Sequence, residues 1–114
     1  MPFYRFEDLK DKRHNPDISS AHGPTIQGER IYFGKRFKKP GTGAKPHYHA
    51  NEMFVYVLKG KLRFKVEDKE QVVSQGGIVH VPANVVHTDA VEGTEDVEYL
   101  YIKDTRGTLK GTAA

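Results

Sequence analysis

Cysteine and tryptophan are both absent from the 114 residues, and methionine occurs only 2 times. Without thiols there is no disulfide framework, no thiolate ligand and no cysteine nucleophile, so any metal must be held by nitrogen, oxygen or thioether. The same absence suits a reducing compartment, and a cytoplasmic location is expected. Long apolar runs are missing as well. No stretch approaches the roughly 18–20 apolar residues of a membrane span, and residues 1–10 carry no apolar run behind a basic start, so no membrane partner is expected. Nor does any segment have the length and helical period of apolar residues that a long helix needs. Charge of one sign is also scarce: 18 Lys and Arg stand against 15 Asp and Glu, a net +3. The basic residues are densest at Lys35, Arg36, Lys38 and Lys39, and elsewhere mix with acids such as Glu67, Asp68 and Glu70. With no base-stacking motif beside it, this pattern reads as solvated surface and argues against a nucleic-acid partner. A basic balance of this size suits the steering of an anionic small molecule toward a site.

What is present is a β rhythm. Hydrophobic residues make up 37% of the chain, with 6 Tyr and 6 Phe, enough for one packed domain at this length. Residues 1–28 are polar and broken by Pro16, Gly23 and Pro24, which predicts an irregular arm with one short helical turn around residues 6–10. Thereafter short runs rich in β-branched and aromatic residues predict strands over 30–37, 52–58, 61–66, 71–73, 78–81 and 97–103. Lys59 and Gly60 have the length of a tight hairpin, and Lys69 between Asp68 and Glu70 marks a second turn. An all-β domain over 29–104 follows, with a small polar tail over 105–114 that is expected to be loose. In the run over 52–58, Met53, Val55 and Val57 share one face while Phe54, Tyr56 and Leu58 share the other. A strand apolar on both faces must be covered on both. The interior covers one, and the arm or a second subunit the other, which predicts a homodimer.

Chemistry concentrates in histidine. His47 and His49 are two apart, so on an extended strand both imidazoles point to one side and can converge, and Pro46 favours an extended approach. Alone, such a pair is weak evidence. It lies in Gly41-Thr-Gly-Ala-Lys-Pro-His47-Tyr-His49-Ala-Asn-Glu52-Met53, closed by Gly60, and is followed by Gly76-Gly-Ile-Val-His80-Val-Pro82-Ala-Asn84-Val-Val-His87.

These two segments resemble the paired motifs of the cupins. In the first, Gly41, His47, His49 and Gly60 match a glycine, the His-x-His pair and a closing glycine. In the second, Gly76, Pro82 and His87 match a glycine, the proline of Pro-x-Gly and a histidine. The resemblance spans residues from about Glu29 to Lys103. It implies a double-stranded β-helix, or jelly-roll barrel, with one divalent ion per chain held by His47, His49 and His87. Counted back from Gly60, the position of the family's usual Glu or Gln ligand holds Met53, with Glu52 one residue earlier. Strand parity places Met53 on the face of His49 and Glu52 on the other, unless a bulge at Ala50 and Asn51 resets the register. Asn84 replaces the second glycine, and Val91 the family's final asparagine.

Three neutral histidines without a carboxylate leave the ion near +2 with open positions for a chelating, anionic small-molecule substrate. Within the cupins such sites are similar to those of iron(II) dioxygenases, which favours Fe2+; Mn2+, Ni2+, Cu2+ and Zn2+ stay open, and a thioether near the ion would tilt toward copper. Glu52 is the candidate base beside the ion's ligands, and Met53, His80 and Tyr56 are candidate pocket residues. His14 and His22 read as exposed loop residues of the arm. Two rivals stand beside the dioxygenase: a redox-silent isomerase, epimerase or lyase on a sugar acid or small carbonyl compound, and a non-catalytic binding module.

Overall fold

The computed structural model describes residues 2–114. After one 3-10 turn at Phe6–Asp8, the described residues form strands β1 (Lys12–Arg13), β2 (His22–Gly23), β3 (Thr25–Gln27), β4 (Ile31–Lys38), β5 (Gly43–Tyr48), β6 (Met53–Lys59), β7 (Leu62–Val66), β8 (Lys69–Val73), β9 (Ile78–Val81), β10 (His87–Val91), β11 (Val97–Asp104) and β12 (Thr112–Ala113). One sheet of 7 strands runs β1-β2-β4-β11-β6-β9 with β3 beside β4, and a second of 5 runs β12-β5-β10-β7-β8. Neighbouring strands pair antiparallel throughout. The two sheets enclose the core of a jelly-roll barrel, with no helix among the described residues long and apolar enough to cross a membrane.

Alternation along the long strands builds that core. On β6, Met53, Val55 and Val57 are buried while Phe54 and Tyr56 face out; Val97 and Tyr99 of β11 and Leu62 and Phe64 of β7 meet them inside. Each such side chain, taken fully out of water, contributes about 1.5–3 kcal/mol.

Lys59 and Gly60 do not form a hairpin. β6 pairs with β11 and β9, whereas β7 pairs with β10 and β8, so the chain changes sheets there. Gly60 has φ +77°, and a Cβ on it would sit 2.6 Å from the Asp96 carbonyl oxygen, so the crossover needs glycine both for its backbone and for its lack of a side chain. The tight hairpin is the next one, β7 to β8, where Val66 pairs with Lys69 around Glu67 and Asp68.

Both termini are more ordered than the sequence suggests. β2 and β3 pair with β4, and Ser19 bridges to Ala44 of the opposite sheet, so the arm laces the two sheets together. The tail is not loose: Thr112 and Ala113 pair with Tyr48 and His47 along the edge of β5. Outside, Phe6 packs edge-on against Phe33 at 5.2 Å, covering the β3–β4 end of the sheet. Phe54, Tyr56 and Ile78 remain 43%, 38% and 66% exposed at the other end.

Candidate metal centre

His47 and His87 are direct cross-strand partners on β5 and β10, and His49 follows two residues after His47 on the same side. The ring centroids of His47 and His87 are 4.2 Å apart and those of His49 and His87 5.0 Å. One ligand nitrogen from each of the three lies within 4.8 Å of the others.

Backbone carbonyls orient all three rings. Nδ1 of His47 donates to the Lys45 carbonyl at 2.6 Å, Nδ1 of His49 to Asn51 at 3.0 Å, and Nδ1 of His87 to Val85 at 2.9 Å. A carbonyl oxygen only accepts, so each Nδ1 carries the proton and each Nε2 keeps a free lone pair. Burial lowers the pKa of all three, His49 to about 4 and His87 to about 3, keeping them neutral as metal ligation requires. His87 Nε2 is buried and has no hydrogen-bond partner among the described residues. Leaving such a group unpaired costs about 1–3 kcal/mol, which a cation at the meeting point removes. The residues fit a divalent ion.

The histidines line a cavity of about 390 Å³. Met53, Val55 and Phe64 supply an apolar wall, Tyr99 and Tyr101 a phenolic one, and Arg36, Lys38 and Lys103 bring positive charge. The Tyr101 hydroxyl lies 3.5 Å from His49 Nε2. Among the described residues, Asp89 is the one carboxylate on the wall, and it is bound by Lys38 at 2.6 Å. Burial is the largest influence and works against the Lys38 charge, but Asp89 and Tyr99 together outweigh it and hold the ammonium above its ordinary range. Among the described residues, no carboxylate joins the three histidines within that cluster.

Met53 is buried and faces this cavity, as strand parity predicts. Three other candidates do not. Glu52 points out of the barrel, where its carboxylate accepts from His80 Nε2 at 2.7 Å, so it is not placed to act as a base at the centre. His80 itself stacks on Phe54 at 4.7 Å on the outer face, and Tyr56, sharing the parity of Phe54, is exposed there too. Residues 49–52 are a bent loop that carries the chain from one sheet to the other, and β6 begins at Met53, paired with Val81, leaving Glu52 beside His80 on the outside.

Several pocket residues escaped the sequence reading. His14, expected in an exposed loop, is half-buried on the cavity wall and donates from Nε2 to the Gly23 carbonyl at 2.7 Å. Arg36 and Lys38, read as solvated charge, and Lys103, placed only at the end of a strand, are 2%, 2% and 7% exposed. The available signal was parity with Tyr32 on β4 and with Tyr99 on β11. Asn51, completely buried, donates from Nδ2 to the carbonyls of Asp104 and Arg106 at 3.0 and 2.7 Å.

A family model described as Cupin domain matches residues 38–103. No curated protein matches the chain. Among solved structures, TT1209 from Thermus thermophilus is 24% identical with a TM-score of 0.72, covering 91% of this chain and 97% of its own. The polyketide cyclase RemF from Streptomyces resistomycificus is 16% identical with a TM-score of 0.84, covering 100% of this chain and 85% of its own. A deletion mutant of the Bacillus subtilis oxalate decarboxylase OxdC is 16% identical with a TM-score of 0.80, covering 96% of this chain and 31% of its own. At these identities the likeness is one of fold.

Proposed function

The chain belongs to the cupin family, and on that premise we propose that it is a metal-dependent enzyme holding one divalent ion at His47, His49 and His87, with iron(II) favoured, and acting as a dioxygenase on a small anionic chelating substrate. The observation that carries this reading is the convergence of three carbonyl-tethered, neutral imidazoles with no carboxylate among them. An iron(II) ion there would supply Lewis acidity and redox chemistry toward dioxygen. Three protein ligands leave positions for a bidentate ligand, and with no anionic ligand to offset the ion an anion is preferred. Met53, Val55 and Phe64 exclude water from one side of the cavity. The oxalate decarboxylase of the same fold bears a small chelating dianion in its name, which is consistent with such a substrate class.

One observation favours a redox-silent isomerase, epimerase or lyase as second reading. The cavity carries proton-moving groups: the Tyr101 hydroxyl beside His49, and Lys103, pushed down to about 8 chiefly by burial and then by the Arg36 charge. The polyketide cyclase shows by its name that the fold serves more than oxygenases.

Metal analysis of protein purified without added metal or chelator, together with oxygen-uptake assays on diketones, catechols and hydroxy acids, separates these readings. About one iron per chain with oxygen consumed supports the dioxygenase. Turnover without oxygen uptake on zinc or nickel moves the assignment to the second reading, and bound metal without turnover points to a binding module. We also place the protein in the cytoplasm, for which its lack of cysteine is the support, and propose that two copies associate through the exposed Phe54, Tyr56 and Ile78 face.

A further inference from the structure

Adjacent strands β4 and β11 turn Tyr32, Gly34, Arg36 and Lys38, and Tyr99, Tyr101 and Lys103, toward the cavity. Lys38 has its counter-charge in Asp89. Among the described residues, neither Arg36 nor Lys103 has a carboxylate at ion-pair distance, Asp104 acting on Lys103 only from further off. Arg36 Nη1 donates to the carbonyls of Pro24 and Lys35 at 3.1 and 3.2 Å, and Nη2 donates to the Tyr32 hydroxyl at 2.8 Å. Lys103 Nζ donates to the Leu109 carbonyl at 2.8 Å. Asp104, the nearest acid in sequence to Lys103, instead accepts from the backbone N–H groups of Glu52 and Arg106 on the outside. Both cations lie over the same two rings, Arg36 Cζ at 5.6 and 5.3 Å and Lys103 Nζ at 4.6 and 5.1 Å from the centroids of Tyr32 and Tyr101. Every partner is neutral.

Two buried like charges without an acid between them are costly, several kcal/mol per ion before any compensation, and the faces of two tyrosines recover only part of that. Gly34 shows that the fold makes room for the arrangement. A Cβ at that position would lie 2.2 Å from Arg36 Nη1, so the guanidinium folds over bare backbone. Tyr101 then joins the two regions, its ring against the cations and its hydroxyl 3.5 Å from His49 Nε2.

We propose that Arg36 and Lys103, framed by Tyr32 and Tyr101, form a second anion subsite that receives a carboxylate remote from the metal-chelating end of the substrate. The substrate class is therefore a hydroxy or oxo acid bearing a second acid group. This rests on the chelating-substrate reading above, and the test separates the two.

Protein loaded with redox-silent zinc is titrated by calorimetry with lactate and with malate, which share a chelating hydroxy-acid head and differ by one carboxylate. Malate binds roughly tenfold tighter or more, in keeping with charge-assisted hydrogen bonds to a buried guanidinium. Arg36→Gln abolishes the preference and leaves lactate affinity and zinc content unchanged. Gly34→Ala, which keeps the charge but evicts the guanidinium from its seat, does the same and covers the case in which Arg36→Gln fails to fold. A wild type that binds both acids equally, or a folded Gly34→Ala variant that still prefers malate, overturns the subsite. If zinc does not bind, the metal reading fails, and metal-free protein is titrated with succinate. Saturable binding lost in Gly34→Ala then upholds the subsite, and no binding overturns it.

Discussion

Each imidazole of the centre is legible as a residue, because His47 and His49 follow strand parity and His87 sits at the matching motif position. What parity could not show is that three separate carbonyls, those of Lys45, Asn51 and Val85, set one tautomer for all three rings. Charge was harder to read. Arg36 and Lys103 share inward faces with Tyr32, Tyr99 and Tyr101 but also with the charged Lys38, and only the closed barrel shows that these cations are buried. Lys103 gives a pH signature. Its ordinary value of 10.5 falls to about 8 in the folded protein, mainly through burial. Between these values the unfolded chain binds the proton that the folded chain has released, so stability rises with pH across that window; below about 8 the full cost of burying the charge is present. Urea denaturation of the wild type and of Lys103→Met should show the wild type gaining roughly 2–3 kcal/mol on the variant between pH 8 and 10.5. A difference that stays flat with pH would remove Lys103 from the buried set.

At the scale of elements, the strands rich in Val, Ile, Phe and Tyr are visible in the sequence within a residue or two of their observed ends. β5 and β10 are not, since Gly-Ala-Lys-Pro-His-Tyr and His-Thr-Asp-Ala-Val have little intrinsic strand preference. They are strands because partners on both sides pair with them, and they carry two of the three histidines. The crossover at Gly60 resembles a hairpin by length alone; which sheet receives β7 is decided by long-range pairing. The loop between β5 and β6 illustrates how elements hold the site. Asn51 ties it to the end of β11 through two carbonyls, while its own carbonyl holds His49. Asn51→Ala strands both carbonyls and should lower stability by about 1–3 kcal/mol in thermal or urea unfolding. The Asn51 carbonyl that holds His49 stays, but the loop carrying it loses its anchor on β11, so zinc affinity, measured by competition with a chromogenic chelator, should fall roughly 10–100-fold. An unchanged affinity would mean that His49 is positioned without the loop.

For the molecule as a whole, the face bearing Phe54, Tyr56 and Ile78 is an apolar part of the sheet that one chain leaves uncovered. The arm reaches Phe33 through Phe6 but stops short of these residues. A second copy presenting the same patch about a two-fold axis would cover it. Light scattering at micromolar concentration should give twice the chain mass of 12.9 kDa, and Tyr56→Glu should halve that value with an unchanged circular dichroism spectrum. A wild type that runs as a monomer would rule the association out.

Alternating strands, turn residues and the spacing of three histidines are properties of neighbours along the chain, so the sequence by itself determined the β class, the family resemblance and which three histidines to look for at one point. Strand parity already set Glu52 and Tyr56 on the face opposite Met53, but which sheet each strand joins, and with it that His14, Arg36, Lys38 and Lys103 look into the cavity while His80 looks out, was decided only by tertiary structure. Closing a barrel brings together residues far apart in sequence, and the same charged side chain is solvated on one face and buried on the other.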